Sequence, residues 1–243
     1  MFEDYPLIVA ANRDEHYDRP SAAPCLLAST PKIIAGRDLR AGGTWLGVNE
    51  HGLMAGILNR RLDGQPLAST DVRSRGLLCM DVLNFESARA SNAFIHDHRF
   101  RYNPFTLLFA DKQEAHVSYN DDRKIITQKL EPGLHVFSSA ADFDLRSAKG
   151  DRAHSLFAGI GPSVRPADKN ARASIEALQA VLADHSLSAS AADASDAICV
   201  HRDASGTVSS TIIYLSGSHI EMYFCPGPPC RNSFGDASTL DLR

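Results

Sequence analysis

An apolar run, Leu7-Ile8-Val9-Ala10-Ala11, closes on four charged or amide side chains, Asn12-Arg13-Asp14-Glu15. Continuous apolar residues of this length have the pattern of a buried strand. The polar group that ends it is costly to desolvate unless each side chain finds a partner. Two readings follow. The four residues form a solvated loop, with Asn12 and Asp14 supplying turn chemistry, or they project an acid and a base from a strand end into a cleft.

The rest of the chain reads as strands in clusters with helices grouped between them. Strands are expected over residues 6–11, 32–35, 44–48 and 53–58, with the Gly42-Gly43 turn joining the second to the third. Ser74 is placed to cap a helix over 75–90, where Leu78, Val82 and Phe85 share one face. Further strands fit 105–110, 115–119 and 124–128, a short one fits 134–138, and a helical stretch fits 143–157. Ile175, Leu178, Val181 and Leu182 form the stripe of a helix over 171–183. A Ser/Ala/Asp-rich loop or frayed helix covers 186–195. The last strands, 208–215 and 219–225, flank a Gly-containing hairpin loop at Ser216-Gly217-Ser218. This order predicts α+β architecture with mainly antiparallel sheet, and one domain.

Several motifs carry chemistry-bearing residues. Gly42-Gly43-Thr44-Trp45-Leu46-Gly47 holds the only tryptophan, which either walls a pocket or packs in the core beside a tight turn. It lacks the spacing and lysine of a phosphate loop. Asn59-Arg60-Arg61 ends the strand 53–58 as Asn12-Arg13 ends the first. If the two strands were neighbours, an amide there would serve a developing oxyanion and an arginine would clamp a carboxylate. His96 and His98 have the spacing of metal ligands on one strand face, but Asp97, Arg99 and Arg101 around them read as a solvated connection. Cys199-Val200-His201 puts a nucleophile type and a base type on one strand face without a third orienting group, so a buried core cysteine is the simpler reading. Gly206-Thr207-Val208-Ser209-Ser210-Thr211 offers hydroxyls to a ligand or to the sheet end. Gly227-Pro228-Pro229-Cys230 reads as a structural stop.

A net charge of −4 without a Lys/Arg cluster argues against a nucleic-acid or anionic-membrane partner. No apolar run approaches the ~20 residues of a membrane span, and Glu3 and Asp4 are unlike a signal peptide. A cytoplasmic location is therefore expected. The five cysteines, Cys25, Cys79, Cys199, Cys225 and Cys230, are irregularly spaced with no CxxC pair. Reduced thiols are expected, with neither a disulfide framework nor a zinc site. No cofactor and no metal are expected.

Ala11-Asn12-Arg13-Asp14-Glu15, Arg19-Pro20, Gly36-Arg37-Asp38, Gly42-Gly43-Thr44-Trp45-Leu46-Gly47 and Asn59-Arg60 stand in an order that resembles the NRDE proteins. Ser74-Arg75-Gly76, Asn103-Pro104-Phe105, Gly206-Thr207-Val208-Ser209-Ser210 and Gly227-Pro228-Pro229 extend the resemblance nearly end to end. That family is related to the transport and Golgi organisation protein 2. The resemblance implies an N-terminal-nucleophile (Ntn) hydrolase-like fold, a four-layer αββα sandwich of two mainly antiparallel sheets. Asn49-Glu50-His51-Gly52-Leu53 with Ala55-Gly56-Ile57-Leu58-Asn59 is similar to the matching stretch of choloylglycine hydrolases. By that likeness Asn59 is the oxyanion-hole amide and Asp14 orients the free amine of a terminal nucleophile. Such an amine, titrating near pH ~8, is the nucleophile's own base and takes the thiol proton. Asn12, Arg13, Glu15, Arg37, Trp45, Arg60 and Ser209 are the substrate-contacting candidates.

Family members normally begin Met-Cys followed by an apolar strand, whereas Met1-Phe2-Glu3-Asp4 has no cysteine. The expectation is a single domain over 1–243 that starts one strand into the family's fold and is inactive as a cysteine amidase as written. Ser138-Ser139 stands where many members carry Ser-Asn, and Val208 where others carry Arg. The alternative implied by eukaryotic relatives is a non-catalytic protein that binds or moves haem, lipid or acyl-CoA-type ligands. Either way the partner is a small molecule.

Overall fold

The structure, a computed structural model, describes residues 4–60, 71–97, 101–120, 124–139, 147–166, 171–187 and 196–243. Its first strand, β1 (Leu7–His16), pairs antiparallel with β9 (Ser205–Leu215), which pairs with β10 (His219–Pro226), which pairs with the short β11 (Ser238–Asp241). β1 is thus at one edge of a four-stranded sheet. The second sheet runs in sequence order through β2 (Ser21–Ser29), β3 (Lys32–Asp38), β4 (Leu46–Asn49), β5 (Met54–Asn59), β6 (Phe105–Ala110), β7 (Ala115–Asn120) and β8 (Ile125–Leu130). Every pairing in it is antiparallel. Helices α1 (Arg75–Val82) and α2 (Ala88–Asp97) lie between β5 and β6. Helices α3 (Ala148–Gly159) and α4 (Ala171–Leu182) lie between β8 and β9.

Strand alternation sorts the apolar side chains of the sheets among three of the four apolar clusters of the described residues. Ile33, Ala35, Ala55, Phe105, Leu107 and Phe109 pack with Leu78, Cys79, Val82 and Ile95 of α1 and α2. Ile34, Leu46, Val48 and Met54 face Ile213, Leu215, Ile220 and Met222 across the space between the sheets, with Val9, Ala11 and Trp45 at its margin. Ile212, Tyr214 and Tyr223 pack under Leu178 and Leu182 of α4, joined by Ile8 and Ala10. The order of layers is helices, seven-stranded sheet, four-stranded sheet, helices. The expected α+β sandwich is the observed fold. Among the described residues no helix is long and apolar enough to cross a membrane.

Several local expectations needed correction. The helix expected over 75–90 is two helices. After Val82 the chain turns, and the Asp111 carboxylate accepts from the Ala88 N–H at 2.8 Å while Ser87 Oγ accepts from Ala90, starting α2 afresh. Ser74 occupies the N-cap position of α1, but its side chain makes no capping bond. Residues 134–138 do not join a ladder; Val136 packs against Ala153, Val181 and Ile198 instead. His96 lies in α2 rather than in a strand, and His98 falls outside the described residues, as do Arg61, residues 143–146 of the expected helix and residues 188–195 of the expected loop. β2 went unread because it is largely exposed and carries Pro24, features that demote a run to an edge strand.

Candidate functional site

The decisive element is the end of β1. Its alternation continues through Asn12, Arg13, Asp14 and Glu15 and turns them to opposite sides of the sheet. Ile8 and Ala10 face α4, so Asn12 does too. Its amide donates to Leu182 O at 2.9 Å and Ile198 O at 3.0 Å, and its carbonyl oxygen accepts from Ser210 Oγ at 2.6 Å. Asp14 lies on that same side. It accepts from Thr207 Oγ1 at 2.6 Å and sits 3.3 Å from Lys149 of α3. A β-bulge between Arg13 and Asp14 skips Val208, which is what brings Thr207 opposite Asp14.

Arg13 faces the other sheet. Its guanidinium carbon lies 4.3 Å from the centroid of the Trp45 ring, and only 8% of the side chain is exposed. Burial lowers its pKa, against the pull of Glu15 and Asp38. Its polar contacts are long: 3.4 Å to Ser21 Oγ and 3.9 Å to Glu15. Ser209, the register partner of Arg13, shares its face and is buried. Glu15 also lies 3.7 Å from Arg19. Arg19 is committed elsewhere, donating to Asp38 at 2.5 Å, which raises its pKa. Burial would raise the Asp38 carboxyl, but Arg19 and the backbone N–H groups of Arg40 and Ala41 hold it below its ordinary value. Arg75, at the start of α1, donates to Pro104 O at 2.9 Å, and burial lowers its pKa against the nearby Glu15.

The glycines around Trp45 serve close packing. A Cβ on Gly36 would run into the Trp45 ring, and one on Gly43 into the backbone of Gly76 in α1. Thr44 N–H donates to Gly76 O, which ties the Trp45 turn to that helix. Asn49 is structural: its amide donates to Leu83 O and Phe85 O, both at 2.8 Å, and its oxygen accepts from the His51 and Leu53 N–H groups.

Of the sequence candidates, Arg13, Glu15, Trp45 and Ser209 come together between the sheets. Asn12 and Asp14 are turned to the α3/α4 layer. Asn59 ends β5, is exposed, and by alternation shares the face of Ala55 and Ile57, which pack toward α1 and α2. Arg60 donates to Asn120 O at 2.9 Å and stacks on Tyr119 at 4.6 Å. Arg37 is exposed on β3. Cys25 pairs in register with Ala35 and so lies on the helix-facing side of its sheet. Cys199 is fully buried, and burial followed by the neighbouring Cys230 pushes its thiol up to about 12. Arg19, Asp38 and Arg75 were not picked as site residues. The charged residues that follow the first strand and its turn, Arg19 and Asp38, were the available signal.

The profile of the Transport and Golgi organisation 2 family matches residues 2–225. The chain belongs to that family. It is 34% identical over 150 residues to the mouse Transport and Golgi organization 2 homolog, covering 56% of this chain and 51% of that protein. It is 35% identical over 146 residues to the human homolog, with the same coverages. The chain thus spans about half the length of the curated family relatives it matches. Among solved structures, a variant of conjugated bile acid hydrolase from Clostridium perfringens superposes with a TM-score of 0.54 at 11% identity, over 97% of this chain and 93% of that one. The Caenorhabditis elegans orthologue of N-acylethanolamine-hydrolyzing acid amidase superposes with a TM-score of 0.53 at 14% identity, over 97% and 99%. This member of the Transport and Golgi organisation 2 family therefore has an Ntn-hydrolase-like fold.

Proposed function

We propose that the group of Arg13, Glu15, Trp45 and Ser209 between the two sheets binds a small acyl compound bearing an anionic group, with amide C–N hydrolysis as the chemistry the fold serves. Arg13 is the observation that carries this reading. It is desolvated between the sheets, stacked on Trp45, and its polar contacts at 3.4 and 3.9 Å leave strong donor capacity for a carboxylate or acyl oxygen. Arg19, by contrast, is already engaged with Asp38 at 2.5 Å. Two superposed proteins with this fold are named for hydrolysis, one of conjugated bile acids and one of N-acylethanolamines.

A second reading is binding without turnover, with haem or acyl-CoA-type compounds as ligands. It is favoured by the engagement of Asp14 with Thr207 and Lys149, which leaves the aspartate on the helix side of its sheet. Titration calorimetry with N-acyl amino acids, acyl-CoA and haem tests the shared part of both readings. Saturable binding weakened at least about tenfold (~1.4 kcal/mol) by Arg13→Ala is expected. No saturable binding, or equal affinity of Arg13→Ala, would sink it. Amide cleavage, assayed on whichever compound binds, separates the two: product release supports hydrolysis, and binding with none supports carriage.

A further inference from the structure

On the opposite side of the four-stranded sheet from Arg13, four potential ligand atoms converge. His185 follows the C-terminus of α4. Cys199 and His201 alternate on the segment that leads into β9, and Cys230 sits in the turn after β10. Their ligand atoms all lie within 4.8 Å of one another. Cys199 Sγ is 3.7 Å from Cys230 Sγ and 3.6 Å from His201 Nε2, and His201 Nε2 is 3.3 Å from Cys230 Sγ. Both cysteines are free thiols.

These separations have a specific meaning. Around a tetrahedral zinc ion with Zn–S near ~2.3 Å and Zn–N near ~2.05 Å, the sulfur–sulfur edge is about 3.8 Å and the sulfur–nitrogen edge about 3.6 Å. The three distances among Cys199, His201 and Cys230 fall within about 0.3 Å of those edges, and His185 offers a ring nitrogen within 4.8 Å of the other three ligand atoms. Two thiolates would cancel the charge of a divalent ion, and two neutral imidazoles would complete the set. Thiolate donors favour zinc over magnesium, calcium or manganese, which prefer oxygen.

The three segments that carry the ligands are also fixed to one another by other bonds. Cys199 N–H donates to Asp184 O at 2.8 Å, next to His185, and Asp184 is held by Arg152 at 2.6 Å. Asn12 bridges Leu182 O and Ile198 O. Val200 N–H donates to Thr207 Oγ1, which donates to Asp14. Gln179 of α4 donates to Pro229 O and Asn232 O at 2.9 Å and so anchors the turn that carries Cys230. The helix-facing half of the Asn12-to-Glu15 motif thereby supports this cluster.

We propose that His185, Cys199, His201 and Cys230 bind one zinc ion in a structural Cys2His2 centre that clamps the end of α4 to the ends of β9 and β10. All four tetrahedral positions come from the protein, so the site is closed to substrate and serves stability rather than catalysis. The expectation of no metal rested on the absence of a CxxC pair. The ligands instead come from three separated segments, with only Cys199 and His201 close in sequence.

Elemental analysis of untagged protein, purified without chelators, is expected to give one zinc per chain. Cobalt substitution is expected to give the thiolate-to-metal charge-transfer band of a tetrahedral sulfur site. The exposed Cys25→Ser should keep the zinc, and Cys199→Ser with Cys230→Ser should lose it. His185 is exposed, so His185→Ala should stay folded by circular dichroism. Competition with a chromophoric chelator should show a loss of zinc affinity beyond the about 10–100-fold typical of an outer-shell change. The proposal is overturned if zinc-supplemented protein binds well below one zinc per chain. It is equally overturned if the cobalt form lacks a thiolate band, if the double serine variant keeps its zinc, or if a Cys199–Cys230 disulfide is found in protein prepared without air.

Discussion

The Asp14 carboxylate accepts a 2.6 Å hydrogen bond from Thr207 Oγ1, and that same oxygen accepts the Val200 N–H at 2.9 Å. The acid of the motif is thus the outer end of a relay that holds the segment bearing Cys199 and His201. Thr207 is buried, and Thr207→Val leaves the Val200 N–H and the Asp14 oxygen without this partner. A loss of about 1–3 kcal/mol is expected in urea unfolding. Asp14→Asn keeps an acceptor at an exposed position and should cost less than about 1 kcal/mol. An equal cost for both variants would refute the relay.

Asn12 makes three side-chain hydrogen bonds, to Leu182 O, Ile198 O and Ser210 Oγ. Asn12→Ala strands two carbonyls and a hydroxyl and should lower stability by about 2–3 kcal/mol. Asn12→Asp fits the same space but cannot donate to either carbonyl, so it should be no more stable than the alanine variant. A stable Asn12→Asp protein would show that the two donated bonds contribute little.

Gly36 lies against the Trp45 ring, and a Cβ there would overlap it. Gly36→Ala should displace Trp45 and cost about 1–3 kcal/mol by overpacking. Trp45 is the only tryptophan, so its fluorescence spectrum reports the displacement directly. An unchanged emission maximum in Gly36→Ala would show that the ring keeps its place over Arg13.

Arg19 and Asp38 form a 2.5 Å ion pair beside the Arg13–Glu15 group. The folded-state pKa of Asp38 lies below its ordinary value of 3.8. A depressed carboxyl stabilises the fold above the ordinary value, and that contribution is lost as pH falls through the lower folded value. The stability advantage of the wild type over Asp38→Asn should be flat above about pH 5 and shrink as pH drops below it. Thermal unfolding of both proteins across this range checks the sign. A gap that widened on acidification would contradict the ion-pair reading.

Much of this molecule is legible in its sequence because the relevant physics is local. The run Leu7 to Ala11, the stripe Ile175–Leu178–Val181–Leu182 and the hairpin around Gly217 each announce their element through periodicity or turn chemistry, and each forms as read. The break between α1 and α2 was hidden because one of its caps is Asp111, some twenty residues away in sequence. The candidate site was half legible. Arg13, Glu15, Trp45 and Ser209 were recognised as polar or aromatic groups at strand and turn positions, and they meet. Arg19, Asp38 and Arg75 join them only through the fold.

The sequence by itself determined the α+β class, the position of most strands and of the α4 helix, and the family, since these rest on short-range patterns and motif order. That β1 runs on to His16, turning Asn12 and Asp14 one way and Arg13 and Glu15 the other, came from its pairing with β9 and not from the apolar run. What lies on each side was decided only by the tertiary structure. One sheet face meets Trp45 across the gap between sheets, and the other meets α3, α4 and the four converging sulfur and nitrogen atoms. Those partners sit tens to nearly two hundred residues away in the chain, so no local periodicity encodes them. Only the stacking of two sheets between two helix layers brings them within bonding distance.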